Sequence, residues 1–307
     1  MIKEKVSILM ATFNGSNYIE CQLRSILKQS YSNFELIICD DSSNDDTVNI
    51  LHKFLRYDNR IRILENDTNL GFKKNFEKLL SFANCELIAF SDQDDIWDEF
   101  HLEKLVLNIG SHDLVCGNSK FIDASGHLLR RNVRSDNCKS VTSDKTLLLT
   151  HLCHSNFIQG SALMVRKSLV EQVLPIPNEV EYHDYWFGIN AALRGGVEYI
   201  PDIILYYRTH GDNVTNLTKE SLYDRVFNSK NDFSSNIRFI SAVINFNNNK
   251  GLDGLEVLRK AISYFNDVSS RTNWKITVRY FLENYKWMYL TNSKKFLRFL
   301  KIFVIKY

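Results

Sequence analysis

Four short apolar runs recur along the first ninety residues, and each ends in a polar cluster. Val6 to Ala11, Phe34 to Cys39, Ile61 to Leu64 and Leu87 to Phe90 are nearly unbroken in apolar residues, as strands buried on both faces are. Between them the hydrophobic positions change to helical spacing: Ile19, Leu23, Ile26 and Leu27, then Val48, Leu51, Phe54 and Leu55, then a segment around Phe72 to Phe82. Strands alternating with helices of roughly a dozen residues predict βαβ units and a mainly parallel sheet in an α/β fold. Further strands are predicted at Asp113 to Gly117 and at Pro201 to Tyr207, and an apolar run from Phe157 to Val165 is interrupted by Gly160. A helix opens at Glu181 and runs to about Arg194. Phe121 to Val141 is polar, basic and irregular, which predicts a mobile loop. From Leu222 the periodicity is helical to the end, so the expected organisation is an α/β domain over residues 1–218 and a helical region over 219–307.

The polar clusters all fall where predicted strands end: Thr12 to Asn14, Asp40 and Asp41, Asn69 to Gly71, and Asp92 to Asp95. In open α/β sheets, ligands sit outside the carboxyl ends of the strands, so four clusters are expected to face one crevice. Three carboxylates within Asp92-Gln93-Asp94-Asp95 repel one another unless a cation or basic ligand screens them, which asks for a divalent metal holding a diphosphate. Asp-rich turns also cap helices, and Asp45 or Asp46 is expected to do so. No G-x-G-x-x-G follows the first strand and no G-x-x-x-x-G-K-[ST] is present, so neither dinucleotide nor P-loop binding is signalled.

Composition adds little until its distribution is considered. The 307 residues are 44% hydrophobic and 24% charged with a net charge of +2, an ordinary globular balance that points to no nucleic-acid partner. From Arg271 to Tyr307, however, nine Lys or Arg face one acid, Glu283, interleaved with aromatic residues. Such basic amphipathic helices suit an anionic membrane surface, packing on the catalytic domain, or a second subunit in a homodimer. The six cysteines stand alone and read as reduced thiols. The first strand begins within a few residues, which leaves no room for a signal peptide, and no apolar run reaches the roughly 18 residues of a spanning helix. The expected location is cytoplasmic, with any membrane contact peripheral.

Six motifs in order resemble the inverting, metal-dependent glycosyltransferases of family 2, which have a GT-A fold. They are Ala11-Thr12-Phe13-Asn14; Asp40-Asp41-Ser42-Ser43; Asn69-Leu70-Gly71 with Asn75; Asp92-Gln93-Asp94-Asp95; His183-Asp184-Tyr185-Trp186; and Tyr207-Arg208-Thr209-His210-Gly211-Asp212-Asn213. The last three versions look most like bacterial rhamnosyltransferases that use dTDP-rhamnose to build surface polysaccharide. The resemblance implies a nucleotide-sugar donor carrying dTDP or UDP and a saccharide acceptor, including one on a polyprenyl lipid. On the donor side it implies Thr12, Asn14, Asp41, Asn69, Gly71, Lys73, Asn75, Asp92, Gln93 and Arg208, with Asp41 facing the pyrimidine. Asp94, supported by Asp92 and His210, would hold Mg2+ or Mn2+. Asp184 matches the general base, and Gly160, His183 and Trp186 are expected near the acceptor; Trp186 would stack on a sugar or belong to the core. Where many members carry Glu-Asp, this chain has His183-Asp184. A metal-dependent nucleotidyltransferase or phosphohydrolase would also use paired acids, but needs neither Asp184 nor Asp41.

Overall fold

The computed structural model describes residues 4–132, 142–211 and 233–270. Strands β1 (Val6–Thr12), β2 (Phe34–Asp40), β3 (Ile61–Glu65) and β4 (Leu87–Ser91) alternate with helices α1 (Ile19–Leu27), α2 (Thr47–Leu55) and α3 (Phe72–Leu80). Val6, Ile8, Leu9 and Met10 of β1 have no exposure, so both faces of the strand are covered and the run has no polar alternation. The four strands pair in the order β3-β2-β1-β4, all parallel. The register sets Thr12 opposite Asp40 and Met10 opposite Ser91, which brings three strand ends level. Because β2 and β4 flank β1 on opposite sides, the strand order reverses between β1 and β4. A ligand crevice is expected at such a switch point.

The chain continues through β5 (Ile96–Trp97), α4 (His101–Asn108), β6 (Leu114–Ile122), β7 (Leu128–Asn132), α5 (Lys145–His154), β8 (Leu163–Arg166), α6 (Lys167–Val173), α7 (His183–Leu193), β9 (Val197–Arg208), α8 (Ser234–Asn247) and α9 (Leu255–Ser270). Beyond β4 the sheet runs β8-β6-β9-β5, with β7 on β6. Only β6 and β9 are parallel there; β4–β8, β6–β8, β6–β7 and β5–β9 are antiparallel. The parallel reading therefore describes the first half, and the second half is mixed.

Three local expectations change. Part of the predicted loop after Phe121 is a hairpin: Asp123 Oδ1 accepts the Ser125 and His127 N–H groups, and Gly126 takes φ +88°. The apolar run from Phe157 is a strand only at Leu163–Arg166, preceded by a 3-10 turn at Gly160–Ala162. The last strand starts at Val197, and Pro201 lies where the register jumps from Gly117↔Ile200 to Asn118↔Ile203, a bulge that tolerates its missing N–H.

The described chain divides into two compact units, Met1–Thr142 with Phe157–His210, and Ser143–Asn156 with the chain from Gly211. In the second, Leu149, Leu152, Phe239, Ile240, Val243, Leu258 and Phe265 are buried, and Asn236 Nδ2 donates to the Cys153 carbonyl. The boundary read near Thr218, Cys138 and the basic stretch 271–307 lie outside the described residues.

Candidate active site

Asp41 organises the loop between β3 and α3. It is 2% exposed; its Oδ1 accepts from Leu70 N–H (2.8 Å) and Asn66 Nδ2 (2.7 Å), and its Oδ2 accepts from Gly71 N–H (2.8 Å). Gly71 has φ +83°, a conformation that suits glycine, and Asn69 Oδ1 also accepts its N–H. Asn66 is the hub beneath: its Oδ1 accepts from Lys78 Nζ (2.5 Å), and its amide also reaches Asn75 Oδ1 (3.2 Å). Asn75 is 1% exposed and donates to the Cys39 carbonyl, so it braces the end of β2. Lys73 Nζ donates to the Pro177 carbonyl (2.6 Å), which ties α3 to the segment before α7.

The β1 and β2 loops are laced together. Asn14, with φ +47°, donates its N–H to Ser43 Oγ and accepts from Asn44 N–H. Gly15 N–H donates to Thr47 Oγ1 and Ser16 N–H to Asp45 Oδ2. Burial opposes the charge on Asp45, but the bonds from Ser16 and Thr47 outweigh it and hold the carboxyl down at about 2. Thr12 is 2% exposed and its carbonyl accepts from Asp41 N–H. Gln93 clasps Phe13 from across the crevice, accepting its N–H and donating to its carbonyl, both at 2.9 Å. A Cβ on Gly15 would meet Gln93 Oε1 at 2.2 Å, so the clasp requires glycine there. Gln93 thus spends its amide on the backbone of the β1 loop.

The acid cluster is fastened from three directions. Asp92 Oδ2 accepts from Ser161 Oγ at 2.5 Å. Asp94 Oδ2 lies 2.8 Å from His210 Nε2, with the two side chains 17% and 10% exposed. Asp95 is fully buried and its Oδ1 accepts from Arg208 N–H. Burial, then the charges of Asp94 and Asp184, push the Asp92 carboxyl up to about 7. Burial, then Asp94 and Asp92, raise Asp95 well above its ordinary range. Arg208 is 3% exposed: Nε donates to the Asp94 carbonyl and Nη1 to the Ala124 and Asp123 carbonyls, while Tyr18 lies 4.9 Å below. Expected on the donor side, this guanidinium is engaged by three carbonyls, one of them in the acid loop. Tyr18 also stacks 4.7 Å from the His210 ring.

Asp184 occupies the first turn of α7, where the helix dipole favours a carboxylate, and accepts from Tyr185 N–H at 2.6 Å. A Cβ on Gly160 would lie 3.9 Å from Asp184 Cβ, and the adjoining Ser161 donates to Asp92, so the 3-10 turn at Gly160–Ala162 lies against both carboxylates. His183 is 6% exposed among the rings of Phe76 (4.3 Å), Phe90 (5.1 Å) and Phe187 (6.5 Å), and burial lowers it to about 4. It is neutral at ordinary pH. Gly160 presses on this corner: a Cβ there would lie 3.4 Å from His183 Nε2 and 3.9 Å from Asp184 Cβ. Trp186 is corrected from sugar-stacking ring to core: it has no exposure, and its Nε1 donates to the Val173 carbonyl. Sequence reasoning missed Ser161, a lone serine in an apolar run, as well as Asn66 and Tyr18, which no motif marks.

Carboxylate oxygens of Asp92 and Asp94 with a His210 nitrogen are a donor set suited to Mg2+ or Mn2+. Among the described residues no group of three such side chains converges as a ready cage. The 2.8 Å between Asp94 Oδ2 and His210 Nε2 is close to the roughly 3 Å edge between adjacent ligands of an octahedral ion with bonds of about 2.1 Å. The residues fit an ion held by one or two side chains, with further positions left for phosphate oxygens and water.

The Glycosyl transferase family 2 model matches residues 7–174, more than half the chain. The chain belongs to that family. This glycosyltransferase is 25% identical over 221 residues to an uncharacterised glycosyltransferase of Haemophilus influenzae, covering 69% of this chain and 68% of the relative. It is 34% identical over 158 residues to the Escherichia coli UDP-Glc:alpha-D-GlcNAc-diphosphoundecaprenol beta-1,3-glucosyltransferase WfgD (47% and 61% coverage). Over 118 residues it is 37% identical to the Shigella flexneri dTDP-rhamnosyl transferase RfbG (37% and 41% coverage). In fold it is similar to Staphylococcus aureus TarS 1-349 in complex with UDP, with a TM-score of 0.62 at 21% identity over 88% of this chain and 73% of that one. The mannosyltransferase PcManGT of Pyrobaculum calidifontis, in complex with GDP-Man and Mn2+, gives 0.55 at 15% identity over 99% and 86%. The GT-A-like fold read from the motifs is thus the fold of the molecule.

Proposed function

We propose that this glycosyltransferase inverts the anomeric centre of a sugar carried on a pyrimidine nucleoside diphosphate, L-rhamnose from dTDP-rhamnose being the first choice, and transfers it to a saccharide in polysaccharide assembly. What supports the reading is Asp41 bonded to the loop at 69–71, the Asp92 and Asp94 pair with His210, and Asp184 beside the Gly160–Ser161 turn that fastens Asp92. Asp184 takes the proton from the acceptor hydroxyl as its oxygen bonds to the anomeric carbon. The bond from that carbon to the phosphate oxygen breaks on the opposite face, and the nucleoside diphosphate leaves. Asp94 and His210, supported by Asp92, would hold Mg2+ or Mn2+, which when bound supplies positive charge against the diphosphate. Asp41 accepts from two backbone N–H groups and in this reading also faces the pyrimidine N3–H. In this reading Thr12, Asn14 and Asn69 also belong to the donor side.

The similarity to a UDP-glucose enzyme over a longer stretch than to the rhamnosyl enzyme favours a UDP-hexose as second reading. A panel of dTDP- and UDP-sugars with Mg2+, Mn2+ or chelator decides donor and metal together. The expected result is metal-dependent release of intact dTDP or UDP; release of sugar phosphate or inorganic phosphate contradicts glycosyl transfer. Asp184→Asn is expected to lower kcat by roughly 10^2- to 10^4-fold while nucleotide binding stays within about twofold. A variant that turns over like the parent removes Asp184 from the role of base.

A further inference from the structure

Two aromatic rings remain half-exposed beside this crevice although the chain fixes both in place. Phe72 opens α3 directly after Gly71, whose N–H is held by Asp41, and Tyr182 stands at the start of α7, two residues before Asp184. They are 38% and 37% exposed, and their rings stack 6.1 Å apart at an interplanar angle of 29°. The segment leading to Tyr182 is clamped to α3 twice: Lys73 Nζ donates to the Pro177 carbonyl, and Glu77 Oε1 accepts from Ile176 N–H. The Tyr182 carbonyl accepts from Trp186 N–H, which starts the helix. Burying these rings elsewhere would gain apolar contact, yet each keeps over a third of its surface in solvent while the segment before Tyr182 is tied to α3.

We propose that Phe72 and Tyr182 form the platform on which a pyranose ring of the acceptor lies. A sugar has one face of C–H groups and an edge of hydroxyls, so an aromatic face binds the first and leaves the second free to hydrogen bond. Tyr182 stands two residues before Asp184, the base in this reading, and Phe72 follows Gly71, which Asp41 holds, so the pair lies where acceptor would meet donor. This assignment rests on the glycosyl-transfer reading. It replaces Trp186, which has no exposed surface to offer.

The test uses the full chain with Mn2+ and UDP or dTDP, and methyl glycosides of glucose, galactose, N-acetylglucosamine and rhamnose as probes. Saturation-transfer NMR reads glycoside binding, and calorimetry reads nucleotide binding. In the parent, transfer to the C–H protons of at least one glycoside is expected. Tyr182→Ala and Phe72→Ala should weaken that glycoside by roughly 5- to 20-fold, Tyr182→Leu should behave like alanine, and Tyr182→Phe should stay within about twofold. Nucleotide affinity should stay within about twofold in all four. The leucine variant keeps apolar bulk without a flat face, so a merely structural role predicts parent-like binding for it, and thermal melting identifies any variant that does not fold. The platform is overturned by absence of glycoside binding in the parent, by alanine or leucine variants that bind glycoside like the parent, or by equal loss of nucleotide affinity, which would put the rings on the donor side. A parent that binds no nucleotide overturns the glycosyl-transfer reading itself.

Discussion

His183 is an imidazole enclosed by three phenylalanine rings, and His101 is its counterpart under β9. The latter is fully buried, stacks 3.9 Å from Trp97, pairs its Nδ1 with the Ile204 carbonyl, and is lowered by burial to about 3. In the unfolded chain both take a proton near pH 6.5, so between that value and about 4 the unfolded state binds more protons than the folded one. Their stabilising effect is complete above pH 6.5 and is lost as pH falls below it. At pH 5 the loss should be about 2 kcal/mol per histidine, seen as a lower urea midpoint than at pH 7.5. A midpoint unchanged across that interval contradicts the burial of neutral imidazoles. At this scale sequence reading is strongest where charge is concentrated, as at Asp92 to Asp95, and weakest where direction matters. Nothing in Tyr-Arg-Thr-His tells which of the two nitrogen-bearing side chains turns to which partner, yet Arg208 faces three carbonyls and His210 faces Asp94.

Among elements, the loop between β3 and α3 depends on side chains more than on its own turn. Asn66→Ala removes a donor to Asp41 and Asn75 and an acceptor for Lys78 in a buried setting. The expected cost is about 1–3 kcal/mol in urea unfolding, with nucleotide affinity reduced several-fold because Asp41 loses its brace. Reduced stability with unchanged affinity would assign Asn66 to the core alone. Gly15→Ala should be worse for the donor side than its size suggests, since a Cβ displaces the Gln93 clasp; nucleotide calorimetry checks it. The first four strands were legible because parallel strands covered on both faces read as plain apolar runs. The hairpin β6–β7 and the late strands were less so: β7 is half basic and polar, β9 bulges at Pro201, and the run holding Gly160 extends only in part.

For the whole molecule, the α/β character and the convergence of loops followed from order along the chain, whereas the return of Ser143–Asn156 to the second unit had no local signal. No helix of the described residues is long and apolar enough to cross a membrane. The basic aromatic pattern of 271–307 predicts salt-sensitive binding of the full chain to anionic vesicles, lost on truncation at Ser293. Absence of co-sedimentation at low salt removes that expectation.

Arg208 and His210 secure a loop that precedes them by more than a hundred residues. During synthesis the acid loop therefore leaves the ribosome well before its fasteners do. Until β9 docks, three carboxylates stand together without the guanidinium and imidazole that hold them, and the nascent chain has its parallel half but no competent centre. A fragment ended before Val197 should retain that half's pattern of strands and still be inert. In the proposed reading, activity arrives with β9, the last strand of the described residues.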